Sequence, residues 1–87
     1  MNIEEARKDI DKMDDNIIEL LAKRKNLIKE IASIKKELNK PIIDEEREQE
    51  IIERLKKISK EKDLDENFIS SIYEIILNNS KEEQGKI

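Results

Sequence analysis

Residues 3–38, IEEARKDIDKMDDNIIELLAKRKNLIKEIASIKKEL, carry the pattern that decides the fold. Positions 3, 6, 10, 13, 17, 20, 24, 27, 31, 34 and 38 read Ile, Ala, Ile, Met, Ile, Leu, Arg, Leu, Ile, Ile and Leu. Steps alternating between three and four return each of these residues to one side of an α-helix, which completes a turn every ~3.6 residues. Asn2 followed by Glu5 suits a capping box, and Asn39-Lys40-Pro41 is a stop signal. The predicted helix is about 36 residues, or ~54 Å, long.

Two shorter helices follow. Asp44 suits an N-cap, with Glu45 and Glu46 in the first turn, and opens a helix over about 45–61 whose apolar stripe is Ile51, Ile52, Leu55 and Ile58. Asp65 suits the cap of a third helix over about 66–84 that carries Phe68, Ile69, Ile72, Tyr73, Ile75, Ile76 and Leu77. One glycine and one proline leave little to interrupt helices, so the fold class is all-α, in a single domain over 1–87. The simplest arrangement lays both short helices beside the long one. Much apolar surface of the long helix then stays bare, and a chain this short buries only about 60–65% of its unfolded surface, so a second copy is expected to cover it.

Composition narrows the chemistry. With no Cys and no His, disulfides, thiolate chemistry, the usual zinc ligand sets and Ser-His or Cys-His nucleophiles are excluded. Catalysis by this chain has to be electrostatic or carboxylate-based. The net charge of -4 is spread along the chain without a basic block, which argues against nucleic acid as a partner. No stretch approaches the ~20 apolar residues of a membrane span, and the opening residues lack a signal-like apolar run, so a cytoplasmic protein without a membrane partner is expected.

Polar residues break the apolar stripes. Arg24 occupies a seam position, and Lys35, eleven residues on, lies within about 20° of the same face and ~16 Å along the axis, so both cations can meet one small ligand. Taken singly, Arg24 could instead set coiled-coil register and Lys35 could lie along the surface. Glu48 is in phase with Ile51, Ile52 and Leu55, next to Arg47, and Ser80 and Gln84 continue the stripe of the third helix one turn apart. Taken singly, the first two read as first-turn charges and the last two as helix-end polar residues. Five inward departures, two cationic, one anionic and two neutral, together suit an anion-binding site. Arg7 lies 17 residues, ~26 Å, before Arg24 on the same helix, beyond the reach of a shared small ligand. An antiparallel partner crossing near Ile17 or Ile18 would bring its Arg7 alongside residues 24–35.

The chain resembles the all-helical chorismate mutases, the AroQ class, and in particular the mutase domain of bacterial bifunctional mutase-dehydratase enzymes. The resemblance rests on Ala6-Arg7-Lys8-Asp9-Ile10-Asp11 with Asp14, Leu20-Leu21-Ala22-Lys23-Arg24, Ile34-Lys35, Pro41 through Glu48, and Ile75-Ile76-Leu77-Asn78-Asn79-Ser80 with Gln84. Asn78 and Asn79 stand where related chains often carry acids. The resemblance implies an intertwined antiparallel homodimer that converts chorismate to prephenate, a step of phenylalanine and tyrosine biosynthesis, without cofactor or metal. It implies that Arg7 from the partner and Arg24 bind substrate carboxylates, that Lys35 contacts a carboxylate and the ether oxygen, and that Gln84 is the second donor to that oxygen. Asp44 and Glu48 match groups around the ring hydroxyl, and Arg47 and Ser80 match groups that hold the ring carboxylate. Two other readings stay open: an isochorismate-pyruvate lyase on the same fold, which the Arg47-Glu48 pair disfavours, and a non-catalytic helical dimerisation module.

Overall fold

A computed structural model describes all of residues 1–87. It consists of three helices, α1 (Ile3–Glu37), α2 (Glu45–Glu61) and α3 (Glu66–Gly85), with no strand. Each begins on a side chain that satisfies a free backbone N–H of the first turn. Asn2 accepts from the Glu5 N–H at 2.9 Å, Asp44 from the Arg47 N–H at 3.0 Å, and Asp65 from the Asn67 N–H at 2.7 Å.

The ends of α1 and α2 share one device. Asn39 (φ 54°) and Asp63 (φ 56°) enter the left-handed region, which short polar side chains tolerate. Lys40 N–H then donates to the Lys35 carbonyl and Leu64 N–H to the Ser59 carbonyl, both at 2.8 Å, each reversing the chain. The first reversal matters most, because it folds residues 40–44 back over the last turn of α1.

Helix α3 packs on both other helices, whereas α1 and α2 do not approach each other. This corrects the expectation that both short helices lie beside the long one. The stripe of α2 is taken up by α3, and between the start of α2 and the second half of α1 lies a cleft lined by the polar heads of Arg24, Lys35 and Glu48. Lys35 meets Gln84 and Ile18 shares a groove with Ile75, so α1 and α3 run the same way. Glu48 meets Lys81 and Lys60 meets Glu66, so α2 runs opposite to α3.

Burial within one chain is sparse. Ala32, Ile51 and Leu77 are the buried apolar residues, outnumbered by Ser59, Ser80, Glu83 and Gln84. The stripe of α1 turned to its own chain runs through Ile28, Ala32 and Lys35, one residue past the predicted seam, while Leu27, Ile31, Ile34 and Leu38 stay exposed. On α2 the deepest residue is Ser59, whose hydroxyl donates to the Leu55 carbonyl at 2.7 Å, whereas the predicted Ile58 is exposed. Phe68 and Ile75 of α3 also face outward. The stripes are therefore wider than one neighbour can cover. A radius of gyration of 16.1 Å, against about 12 Å for a compact chain of this length, expresses the same shortage of internal contact. No helix is long and apolar enough to cross a membrane.

Candidate active site

The helix ends and the α1–α2 turn enclose a cleft of about 310 Å³, of the size that holds a small metabolite. Its walls contain Arg24 and Lys35 from α1, Asp44, Arg47 and Glu48 from the start of α2, and Ser80 and Gln84 from α3. Every residue singled out from the sequence except Arg7 is thus brought to one place. Ile28, Ile31 and Leu77 supply its apolar floor.

Lys35 is held by two acceptors. Its Nζ donates to the Ile42 carbonyl at 2.8 Å and to Gln84 Oε1 at 2.9 Å. Because an ammonium only donates, it orients the Gln84 amide with its oxygen toward the lysine, leaving the Nε2 hydrogens for another acceptor. Gln84 is itself buried, which limits the positions that its amide can take. The reversal after α1 is what carries the Ile42 carbonyl back to Lys35, seven residues away along the chain.

Arg24 Nη1 donates to Ser80 Oγ, and the same hydroxyl donates to the Ile76 carbonyl at 2.9 Å. Ser80 therefore fixes one edge of the guanidinium, and the remaining N–H groups stay available for a carboxylate. The N-cap bond of Asp44 sets where α2 begins. Arg47 lines the cleft, but its Nη1 bonds Glu50 at 3.3 Å on the exposed side of α2. Arg7 lies in the uncovered first half of α1, ~26 Å from Arg24 by helical rise, and is not part of the cleft of its own chain.

Three participants escaped the sequence reading. Lys81 lines the cleft and pairs with Glu48 at 3.1 Å, and the one available signal was that an inward carboxylate needs a cation. The Ile42 carbonyl, a backbone group, gives no signal in the residue pattern. Glu83 is buried between α3 and α1, paired with Lys86 at 3.1 Å and Lys25 at 3.8 Å. The hydrogen bond from Lys86 holds its carboxyl below the usual carboxylate range against the opposing effect of burial, and the charges of Lys25 and Lys29 add to the lowering. Glu83 thereby ties the turn that carries Gln84 to α1. On the other side of the Arg24–Ser80 bridge lies a mainly apolar groove formed by Ile18, Leu21, Ile28, Ile75 and Ile76.

Comparisons with known proteins show the family and the fold. The chorismate mutase type II family profile matches residues 6–85. The chain is 43% identical over 77 residues to the chorismate mutase of Methanocaldococcus jannaschii, covering 88% of this chain and 78% of that one. It is 40% identical over 81 residues to the bifunctional chorismate mutase/prephenate dehydratase of Buchnera aphidicola from Schizaphis graminum, and spans 21% of the length of that longer protein. A conserved hypothetical protein from Pyrococcus furiosus superposes with a TM-score of 0.75 at 41% identity, over 94% of this chain and 93% of that one. With the family profile matching nearly the whole chain and a 43% identical chorismate mutase covered over most of its length, the chain belongs to the chorismate mutase type II family.

Proposed function

We propose that the protein rearranges chorismate to prephenate as an antiparallel homodimer in which each cleft is completed by the partner subunit's Arg7. The observation that carries this reading is the Lys35–Gln84 hydrogen bond inside a cleft that also holds Arg24 and Arg47. In a Claisen rearrangement one C–O bond breaks and one C–C bond forms within a single molecule, so neither a nucleophile nor a general base is required. The barrier is lowered by holding the flexible dianion in its reactive conformer and by stabilising the charge that develops on the ether oxygen.

The side chains divide that work. Arg24 and the partner subunit's Arg7 clamp the carboxylates and so select the conformer. Lys35, with a third N–H beyond those given to Ile42 and Gln84, reaches a carboxylate and the ether oxygen. The free Nε2 hydrogens of Gln84 supply the second donor to that oxygen. Asp44 and Glu48 receive the ring hydroxyl, and Arg47 and Ser80 complete the pocket around the ring carboxylate. Because Lys35 is already bonded to Gln84 and Arg24 to Ser80, little reorganisation of these groups is spent as the oxygen gains charge.

Support for the dimer comes from the uncovered face of α1, where Ile10, Met13, Ile17, Leu20, Leu27, Ile31 and Ile34 are all exposed in the single chain. An apolar surface of that length marks an interaction site. The decisive assay follows the loss of chorismate absorbance and the appearance of acid-labile prephenate with purified protein, with isochorismate offered in parallel. Turnover of chorismate is expected. Salicylate from isochorismate without prephenate from chorismate would instead make the protein a lyase, and a folded dimer inert to both would make it a dimerisation module.

A further inference from the structure

Lys81 occupies a place that the proposed chemistry does not use. Its Nζ stands 3.1 Å from Glu48 Oε1, and the two side chains are 34% and 27% exposed, against 58% and 60% for the loose Arg47–Glu50 pair nearby. The cleft contains four cations, Arg24, Lys35, Arg47 and Lys81, and two carboxylates, Asp44 and Glu48. Three of the cations have other partners: Arg24 is on Ser80, Lys35 is on Ile42 and Gln84, and Arg47 is on Glu50. Lys81 alone pairs with Glu48.

A carboxylate in a cleft meant for a doubly negative ligand is a liability, because like charges brought together in a partly desolvated site repel strongly. We infer that Lys81 is a positioning residue that cancels and orients the Glu48 charge, so that Glu48 can accept a hydroxyl without repelling a dianionic substrate. The pairing leaves the second carboxylate oxygen of Glu48 for the ligand. This inference rests on the chorismate mutase reading and adds to it a residue acting through Glu48, not on the substrate itself.

The test is a double-mutant cycle read in KM and kcat for chorismate with the wild type, Lys81→Met, Glu48→Gln and the double variant. Lys81→Met is expected to raise KM about tenfold, with kcat within about threefold of the wild type, because the exposed carboxylate opposes binding of the dianion. Once Glu48→Gln has removed that charge, adding Lys81→Met is expected to change KM less than about twofold. Lys81→Arg is expected to stay within about twofold of the wild type, since it restores the charge. Methionine is a good helix former at this partly exposed site, and the helical circular dichroism of each variant shows that it is folded. An unmoved KM in Lys81→Met would overturn the inference. So would an equal rise in both backgrounds, which would mean that Lys81 touches the substrate or only supports the fold. A wild type that does not turn over chorismate would overturn the functional reading and this inference with it, whereas turnover with an unmoved KM overturns the inference alone.

Discussion

Residues 3–20 and residues 21–37 belong to one helix with one apolar period, yet only the second stretch is covered by the rest of its own chain. From Ile3 to Leu20 every residue except Ala6 is exposed, whereas Arg24, Ile28, Ala32 and Lys35 turn toward α3 and the cleft. The contacts of the second half explain its inward residues, though Leu27, Ile31 and Ile34 stay exposed there too. Ala32 permits close approach of α3, and Arg24 and Lys35 find Ser80 and Gln84. The first half has no such internal contact for Ile10, Met13 and Ile17, and theirs is the face that the proposed dimer would cover. Arg7 sits in that half, so under the proposed dimer the copy that covers the face also completes the site.

The largest effect should come from the second half. In the proposed mechanism Lys35→Ala removes a donor from the ether oxygen; it also releases the Gln84 amide and should lower kcat by about 10³-fold, since one lost donor of this kind costs ~10²–10³. A fall of less than tenfold would show that the packed half is structural only. Gln84→Ala should lower kcat by ~10²-fold, and because an amide does not titrate, this position should impose no acidic pH requirement on the wild type.

The uncovered half is tested next by mixing. Arg7→Ala and Arg24→Ala should each reduce kcat/KM by ~10²-fold while leaving a dimer in sedimentation equilibrium. Unfolding and refolding an equimolar mixture should restore about a quarter of the wild-type activity, because half of the dimers are mixed and each mixed dimer has one intact site. No restoration would mean that the first half of α1 contributes nothing to a partner's cleft, and the two halves would then be functionally unrelated.

Smaller effects sharpen the contrast. Glu83 ties α3 to the packed half, and its carboxyl is held low in the folded state mainly by Lys86. As pH falls from the ordinary carboxylate range through that depressed value, the unfolded chain takes up the proton first, so this contribution to stability is full above the window and lost below it. Glu83→Gln should therefore lower Tm at neutral pH and flatten its acid decline, with the two proteins converging at the lowest pH. The least effect belongs to the free end: Asn2→Ala should cost about 1 kcal/mol in unfolding free energy and leave kcat unchanged, because the cap serves one helix end only.

Helix ends were readable because their causes are local. Asn2, Asp44 and Asp65 each bond an N–H two or three residues away, and Asn39 and Asp63 reverse the chain through their own φ angles. The cleft was readable in large part because a cation or amide on an apolar stripe conflicts with the pattern around it. Lys81 and Glu83 were harder to find because charged residues crowd this chain, and nothing in the spacing separates a charge that meets a partner from one that meets water. Ser59 shows the reverse error: the period favoured Ile58, but the tight end of α2 buried the smaller neighbour.

The amino-acid order alone determined that the chain is three helices, where each begins and stops, and which polar residues interrupt their apolar sides. Helical period and capping act over a few residues and need no distant partner. Only the tertiary structure decided that α3 lies between the other two, that Lys35 points the Gln84 amide, and that Glu48 is matched to Lys81. Those choices depend on which of several apolar stripes finds which neighbour, and a periodic pattern specifies a face without specifying what will cover it.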